Sequence, residues 1–383
     1  MKFLTFFECS SYIQIYMGSP DYRHPDLCKA QVGDPSKHNS GCLRERAASI
    51  ECGVPAFVGK SGANWSWGLK QQSILKRFLY RVEYGMLVAC SRVFRSLPRG
   101  WVYEAARLFG LFSYHVVRAR RSVVEENLRA SFGAEKDERE LARIARESYV
   151  NIAMTFIEML LFQDLAGRLS DILDMSEAHT LEDAYARGKG VVFVGCHFGS
   201  WELSGAFGGS LGHPLTAVAK TQANPYVDAW INRQRSRLFM RVISQGATVR
   251  HIVRALRNGE LVLLISDQDA GSRGVFVDFF GRKASTPRGG AELAMRFHAP
   301  IVVCLTARTV PGKYRGIVRE VEVRADDTVE TLTQRYTRAM EDIIRQFPEQ
   351  YFWMHRRWKS RPLGSGNECE TGAAAVVGSG GNT

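Results

Sequence analysis

No uncharged hydrophobic run in this sequence approaches the ~20 residues that a membrane-spanning helix requires. The most hydrophobic early region, 78–117, is interrupted by Arg81, Glu83, Arg92, Arg95, Glu104 and Arg107. Its uncharged stretches are only Tyr84 to Ser91 and Leu108 to Val117, so a clean spanning segment is not expected. Pattern among the cysteines is missing too. The eight, at 9, 28, 42, 52, 90, 196, 304 and 369, show neither metal-ligand spacing nor the density of a secreted disulfide scaffold. A reducing, cytoplasm-facing location is expected. Residues 1–16 carry an apolar stretch, but Glu8 interrupts it and no small-residue cleavage site follows. There is no internal repeat, helix-turn-helix or pair of RNP aromatics, which argues against nucleic acid as a partner. No Gly-x-Ser-x-Gly elbow directly follows a strand-like run, so a serine nucleophile on a strand-to-helix turn is not indicated.

What is present is a chain of 383 residues, 45% hydrophobic and 23% charged, able to bury a core. A formal net charge of +12 calls for an acidic partner. Anionic lipid, a phosphorylated substrate and an acidic carrier protein all satisfy it. Residues 1–65 are rich in Gly, Ser, Cys and Pro without sustained periodicity and read as an irregular extension or a misassigned start. Residues 66–135 read as a helical segment that associates with a membrane surface. There Trp101, Phe109, Phe112 and Tyr114 would supply an apolar face, and Arg92, Arg95, Arg99 and Arg107 would meet anionic headgroups. An ordinary buried helix pair is the competing account. Residues 136–362 read as the catalytic domain, and 363–383, small and polar, as a disordered tail.

Within that domain apolar positions at Leu141, Ile144, Tyr149, Ile152, Phe156 and Met159 predict an amphipathic helix over 137–162. Short apolar runs at 191–196, 215–219, 261–265 and 301–305 predict strands. Helical stretches at about 225–241, 248–258 and 289–298 separate them, and a last helix is expected over 328–347. This alternation predicts an α/β fold, an α-β-α sandwich with a largely parallel central sheet.

The segment Gly195-Cys196-His197-Phe198-Gly199-Ser200-Trp201-Glu202 falls where a strand ends and a helix begins, the edge where open α/β sheets place their ligands. Gly199 permits the tight turn, and Glu202 falls in the first helical turn, near enough to fold back on the imidazole. A carboxylate holding one ring nitrogen leaves the other free as a base and stabilises the imidazolium that forms. With no separate nucleophile, an acceptor hydroxyl activated by His197 would attack a thioester directly. Other readings compete. His197 and Glu202 could be a core histidine and a helix-terminus charge. Cys196 could be a nucleophile, although adjacent strand residues point to opposite faces. His197, Glu202 and His213 could hold zinc, at a spacing that matches no ordinary site. No metal or cofactor is expected.

Gly-Cys-His-Phe-Gly-Ser-Trp-Glu-Leu resembles the catalytic motif of the lipid A biosynthesis lauroyl/myristoyl acyltransferases, the late acyltransferases of the lysophospholipid acyltransferase superfamily. Further segments are similar in order: Arg120-Arg121 with Asn127-Leu128 and Phe132; Asp267-Gln268-Asp269 followed by Gly274 to Val277, Phe279 to Gly281, Ser285 to Pro287 and Gly289; and Pro348 to Lys359. The resemblance covers roughly residues 70–362. It implies an acyl-thioester donor, acyl carrier protein or acyl-CoA, and an anionic glycolipid acceptor at the cytoplasmic face of the inner membrane. His197 would be the general base and Glu202 its orienting partner. A related branch acylates phosphatidylinositol mannosides, so that acceptor, or a lysophospholipid, is the alternative. The extra residues 1–65 and the charged anchor depart from the family pattern.

The remaining candidates are basic. Arg233, Arg237 and Arg241 at i, i+4 and i+8 predict one continuous helix face suited to phosphates or an acidic carrier helix. Arg235 points elsewhere but belongs with them on the resemblance, and a solvated face is the competing account. Asp267, just past the strand ending at Ile265, would share the sheet edge of His197 and position an arginine or the acceptor headgroup, or simply cap a turn. His355-Arg356-Arg357-Trp358-Lys359 interleaves cations and aromatics, as at a membrane surface or in a return to the core. A basic peripheral membrane protein without catalysis is the alternative of a different class. A glycosyltransferase would need a nucleotide-sugar site, which Asp267-Gln268-Asp269 only imitates.

Overall fold

A computed structural model describes residues 73–244 and 248–362. The expected extension at 1–65 and tail at 363–383 lie outside the described residues. The chain divides into two compact units, Tyr16–Glu83 and the remainder. Of the first, the described part is the start of helix α1 (Ile74–Ser96). Its Ile74, Leu75, Phe78, Leu79 and Val82 are exposed.

In the second unit α1 continues to Ser96 and is followed by α2 (Arg99–Phe112), a π-helical turn (Ser113–Val117), α3 (Arg121–Phe132) and α4 (Glu138–Leu165). Asp137 caps α4 by accepting the Glu140 N–H at 2.8 Å. By length and composition alone the stretch Glu138–Ile172 could cross a membrane, yet 56% of its apolar window is buried in the protein. It is a core helix, and α2 lies directly on it: a Cβ at Gly110 would fall 2.6 Å from the Val150 Cα.

Helix α5 (Leu169–Ile172) leads into strand β1 (Leu173–Asp174), then α6 (Ala178–Ala186), β2 (Val191–Gly195) and α7 (Trp201–Ser210). Next come β3 (Leu215–Ala219), α8 (Pro225–Arg237), β4 (Met240–Ser244), α9 (Thr248–Arg257) and β5 (Leu261–Ile265). A small antiparallel hairpin, β6 (Val275–Phe279) with β7 (Arg282–Thr286), stands apart from the main sheet. The chain closes with α10 (Gly289–Phe297), β8 (Ile301–Val310), β9 (Lys313–Val321) and α11 (Val329–Gln346).

Seven strands form the main sheet in the order β1-β9-β8-β2-β5-β3-β4. Every pairing in it is parallel except the β8–β9 hairpin. The run Val191 to Gly195 is buried throughout because helices cover both of its faces. On one face Phe193 packs in the core cluster with Leu203, Ala206 and Phe207 of α7. On the other, Val194 approaches the junction of Gly290 of α10 and Tyr336 of α11. The expected α/β sandwich with a largely parallel sheet is the observed architecture.

Two expectations change. Helix α8 ends at Arg237, not near 241: Phe239 takes a left-handed φ of 64° and the chain reverses into β4. Tertiary pairing decides this. Met240 to Ser244 register against Leu215 to Ala219, and Gly205 and Gly209 of α7 leave space for Met240 and Phe239. In the helical segment Tyr114 does not belong to the exposed face. It is buried edge-on against Tyr149 at 5.5 Å, with Arg121 over its ring at 4.3 Å. Arg95 and Arg99 close on Asp164 at 2.7 and 2.6 Å, and Arg107 on Glu104 at 2.6 Å, so these three cations already have partners. Arg92, Trp101, Phe109 and Phe112 are exposed.

Candidate active site

Parallel register builds the site. Gly195, the last residue of β2, is paired with Ile265, the last of β5, and the Ser266 N–H donates to the Gly195 carbonyl at 2.9 Å. Two residues past each strand end, His197 and Asp267 therefore emerge side by side at the carboxyl edge of the sheet. The Asp267 carboxylate grips His197 twice, accepting its backbone N–H at 2.9 Å and meeting its ring Nδ1 at 2.8 Å. Burial works against the Asp267 charge. The His197 ring and its two contacts, with Arg357 beyond, outweigh that and hold the carboxyl below the ordinary carboxylate range. An ionised carboxylate can only accept, so Nδ1 carries the proton and Nε2 is the basic nitrogen. Among the described residues Nε2 has no hydrogen-bond partner. Trp201 at 5.5 Å and Phe352 at 5.9 Å flank the ring.

Glu202 is elsewhere. It lies in the first turn of α7, as expected, but its carboxylate forms a two-point pair with Arg235 of α8, at 2.9 and 2.6 Å. The anticipated His197–Glu202 contact is replaced by His197–Asp267. The helical turn carries the Glu202 side chain toward α8, whereas Asp267 shares the strand-end register of the histidine. Asp267 was legible as a neighbour at the sheet edge; its partner was not.

The arginine stripe does not form. Arg233 and Arg237 are exposed on α8, and Arg237 donates to Gln234 at 2.8 Å. Arg235 turns inward to Glu202. Arg241 sits on β4, where it donates to Thr216 Oγ1 at 2.7 Å and pairs with Glu260 at 2.5 Å. The β-branched pair Val242-Ile243 directly after it was the signal that it belonged to a strand.

The competing chemistries fare poorly. Burial, with Asp267 nearby, pushes the Cys196 thiol well above its usual range, so it supplies no thiolate nucleophile. His213 stacks on Tyr185 at 3.6 Å. In Asp267-Gln268-Asp269 the second carboxylate is engaged by Ser360, from its N–H at 3.2 Å and its hydroxyl at 3.0 Å.

The segment after α11 closes the site from behind. The Phe352 N–H donates to the His197 carbonyl at 2.9 Å, and the Asp269 N–H donates to His355 Nε2 at 2.9 Å. Arg357 is 2% exposed and donates to the Ser285 carbonyl and the Thr286 hydroxyl. The basic-aromatic segment is thus a return to the core in this part, with Arg356 and Lys359 exposed.

The fold and this edge define an α/β enzyme whose histidine is held by a carboxylate where parallel strands end. Comparison with known proteins specifies the chemistry. Residues 71–360 match the family profile described as bacterial lipid A biosynthesis acyltransferase. The chain is 28% identical to the lipid A biosynthesis lauroyltransferase of Escherichia coli (strain K12), over 70% of this chain and 89% of that one. It is 29% identical to the lipid A biosynthesis palmitoleoyltransferase of the same organism, over 67% and 84% of the two chains. A phosphatidylinositol mannoside acyltransferase of Mycolicibacterium smegmatis is 24% identical over 50% of this chain and 64% of its own. The chain belongs to the bacterial lipid A biosynthesis acyltransferase family, and it is an acyltransferase.

Proposed function

We propose that the protein transfers a fatty acyl chain from an acyl thioester, carried by acyl carrier protein or coenzyme A, to a hydroxyl of a lipid A precursor at the cytoplasmic face of the inner membrane. His197 is the general base. Its Nε2 takes the proton of the acceptor hydroxyl as the oxygen attacks the thioester carbonyl. Asp267 keeps the proton on Nδ1, orients the ring and stabilises the imidazolium. The tetrahedral intermediate then collapses with loss of the thiol, to which the imidazolium returns the proton. The observation that carries this reading is the double grip of Asp267 on His197 beside an Nε2 that has no partner among the described residues. Glu202 and Arg235 support the wall of the site as a pair, and Arg233 and Arg237, exposed on α8, would meet an acidic carrier or lipid phosphate.

The test is acyl transfer to a lipid A precursor by purified, folded variants. His197→Ala should abolish turnover, and Asp267→Asn should lower kcat by roughly a hundredfold or more, through loss of tautomer control and of imidazolium stabilisation. Near-normal turnover by His197→Ala would end the general-base reading. A phosphatidylinositol mannoside acceptor is the second reading, favoured by the mycobacterial relative, and the same assay with that acceptor separates the two.

A further inference from the structure

The turn that carries His197 into α7 is held by a buried polar network that the proposed chemistry does not use. Gly199 has a φ of +53°, and a Cβ there would lie 2.1 Å from the Thr306 carbonyl oxygen. Both of its peptide groups are committed. Its N–H donates to the Gln350 carbonyl at 2.8 Å, and its own carbonyl accepts from the Thr155 hydroxyl of α4 at 2.8 Å.

Behind Thr155 stands Arg308 of β8, 7% exposed, with Nε and Nη2 each 2.7 Å from Glu158, which is fully buried. Arg308 Nη2 also donates to Thr155 Oγ1 at 3.1 Å, and Nη1 donates to Asn151 Oδ1. Because the guanidinium fills an acceptor position of the hydroxyl, the Thr155 hydrogen is directed to a carbonyl. Gly199 at 2.8 Å is nearer than Asn151, one turn back, at 3.0 Å. Gln350 closes the loop: its Oε1 accepts the Arg308 N–H at 2.8 Å, and its Nε2 donates to the Arg308 carbonyl at 2.9 Å.

A buried ion pair is a poor source of stability, since desolvation cancels most of its attraction. What this one does supply is a set of directed hydrogen bonds ending on the turn two residues from the imidazole. We infer that Thr155, held by the Arg308–Glu158 pair, is a positioning residue that sets the His197 turn for acyl transfer. The inference rests on the reading of His197 as base. Small displacements of a reacting group can lower a rate by about a hundredfold. A loosened turn should therefore reduce kcat while leaving the substrate-binding surfaces, and so KM, intact.

The test is a Thr155 series with His197→Ala run in parallel. Thr155→Val should lower kcat about tenfold or more with KM within about twofold of wild type. Thr155→Cys, with a weaker donor, should fall between, and Thr155→Ser should restore the wild-type rate. If the valine variant does not fold, the order of serine above cysteine carries the test. Wild-type kcat in the valine or cysteine variant, a loss confined to KM, or failure of serine to rescue would overturn the positioning role. An inactive His197→Ala beside an unaffected Thr155 series sinks this inference alone, whereas an active His197→Ala sinks the mechanism on which it rests.

Discussion

Glu202 and Arg235 show how little a residue's type says about its role until its partner is known. Glu202 is 6% exposed and gives both oxygens to one guanidinium. Removing one partner leaves an uncompensated buried charge, which costs far more than removing both. Arg235→Gln is therefore expected to destabilise by about 3 kcal/mol, with most of that recovered in the Glu202→Gln, Arg235→Gln double variant. Urea unfolding of the wild type, the two single variants and the double variant checks it. Additive losses would show that the two are not a structural pair, and a KM effect at full stability would return Arg235 to the substrate.

Among the elements, α2 and the π-helical turn after it carry an exposed apolar face. Trp101, Leu108, Phe109, Phe112, Val116 and Val117 are exposed there, while Val102, Tyr103, Ala106 and Gly110 face inward. We read the outer face as lying in a membrane surface. Burying a phenylalanine side chain contributes roughly 1.5–3 kcal/mol. Phe109→Ser and Phe112→Ser should thus each reduce partitioning onto anionic phospholipid vesicles by about tenfold or more, without loss of folding. Unchanged co-sedimentation in the double variant would remove α2 from the membrane contact.

For the whole molecule the consequence is a pH limit on stability. Burial, assisted by Arg357 and His197 against an opposing Asp267, pushes the His355 imidazole down to about 4 from 6.5. The unfolded chain therefore takes up this proton first as pH falls. Stability is intact above the unfolded value and is lost between pH 6.5 and about 4. The size of the effect is roughly 3 kcal/mol from this one group. Asp267, held below its ordinary value, adds a further loss only at more acid pH, as its folded form is protonated. His355→Gln keeps an acceptor for the Asp269 N–H and should flatten the first loss. An equally steep decline of the urea midpoint in that variant would assign the loss to other groups.

Much of this protein is written locally in its sequence. Apolar runs such as Val191 to Cys196 and Leu261 to Ile265 read as buried parallel strands because both faces of a central sheet are covered, and the helices between them follow from their periodicity. The place of His197, at a strand end before a helix, is equally local. What lay beyond reach depended on contacts between distant segments. That Asp267 rather than Glu202 holds the imidazole follows from the β2–β5 register, across 70 residues of chain. That Arg241 leaves the stripe of Arg233 and Arg237 follows from pairing of β4 with β3, which outweighs the continued helical spacing. And the burial of Arg308 with Glu158 follows from the packing of β8 against α4. Periodicity tells each residue which side of its own element it occupies, but only tertiary packing decides which other element waits there, and partners set charge, tautomer and role.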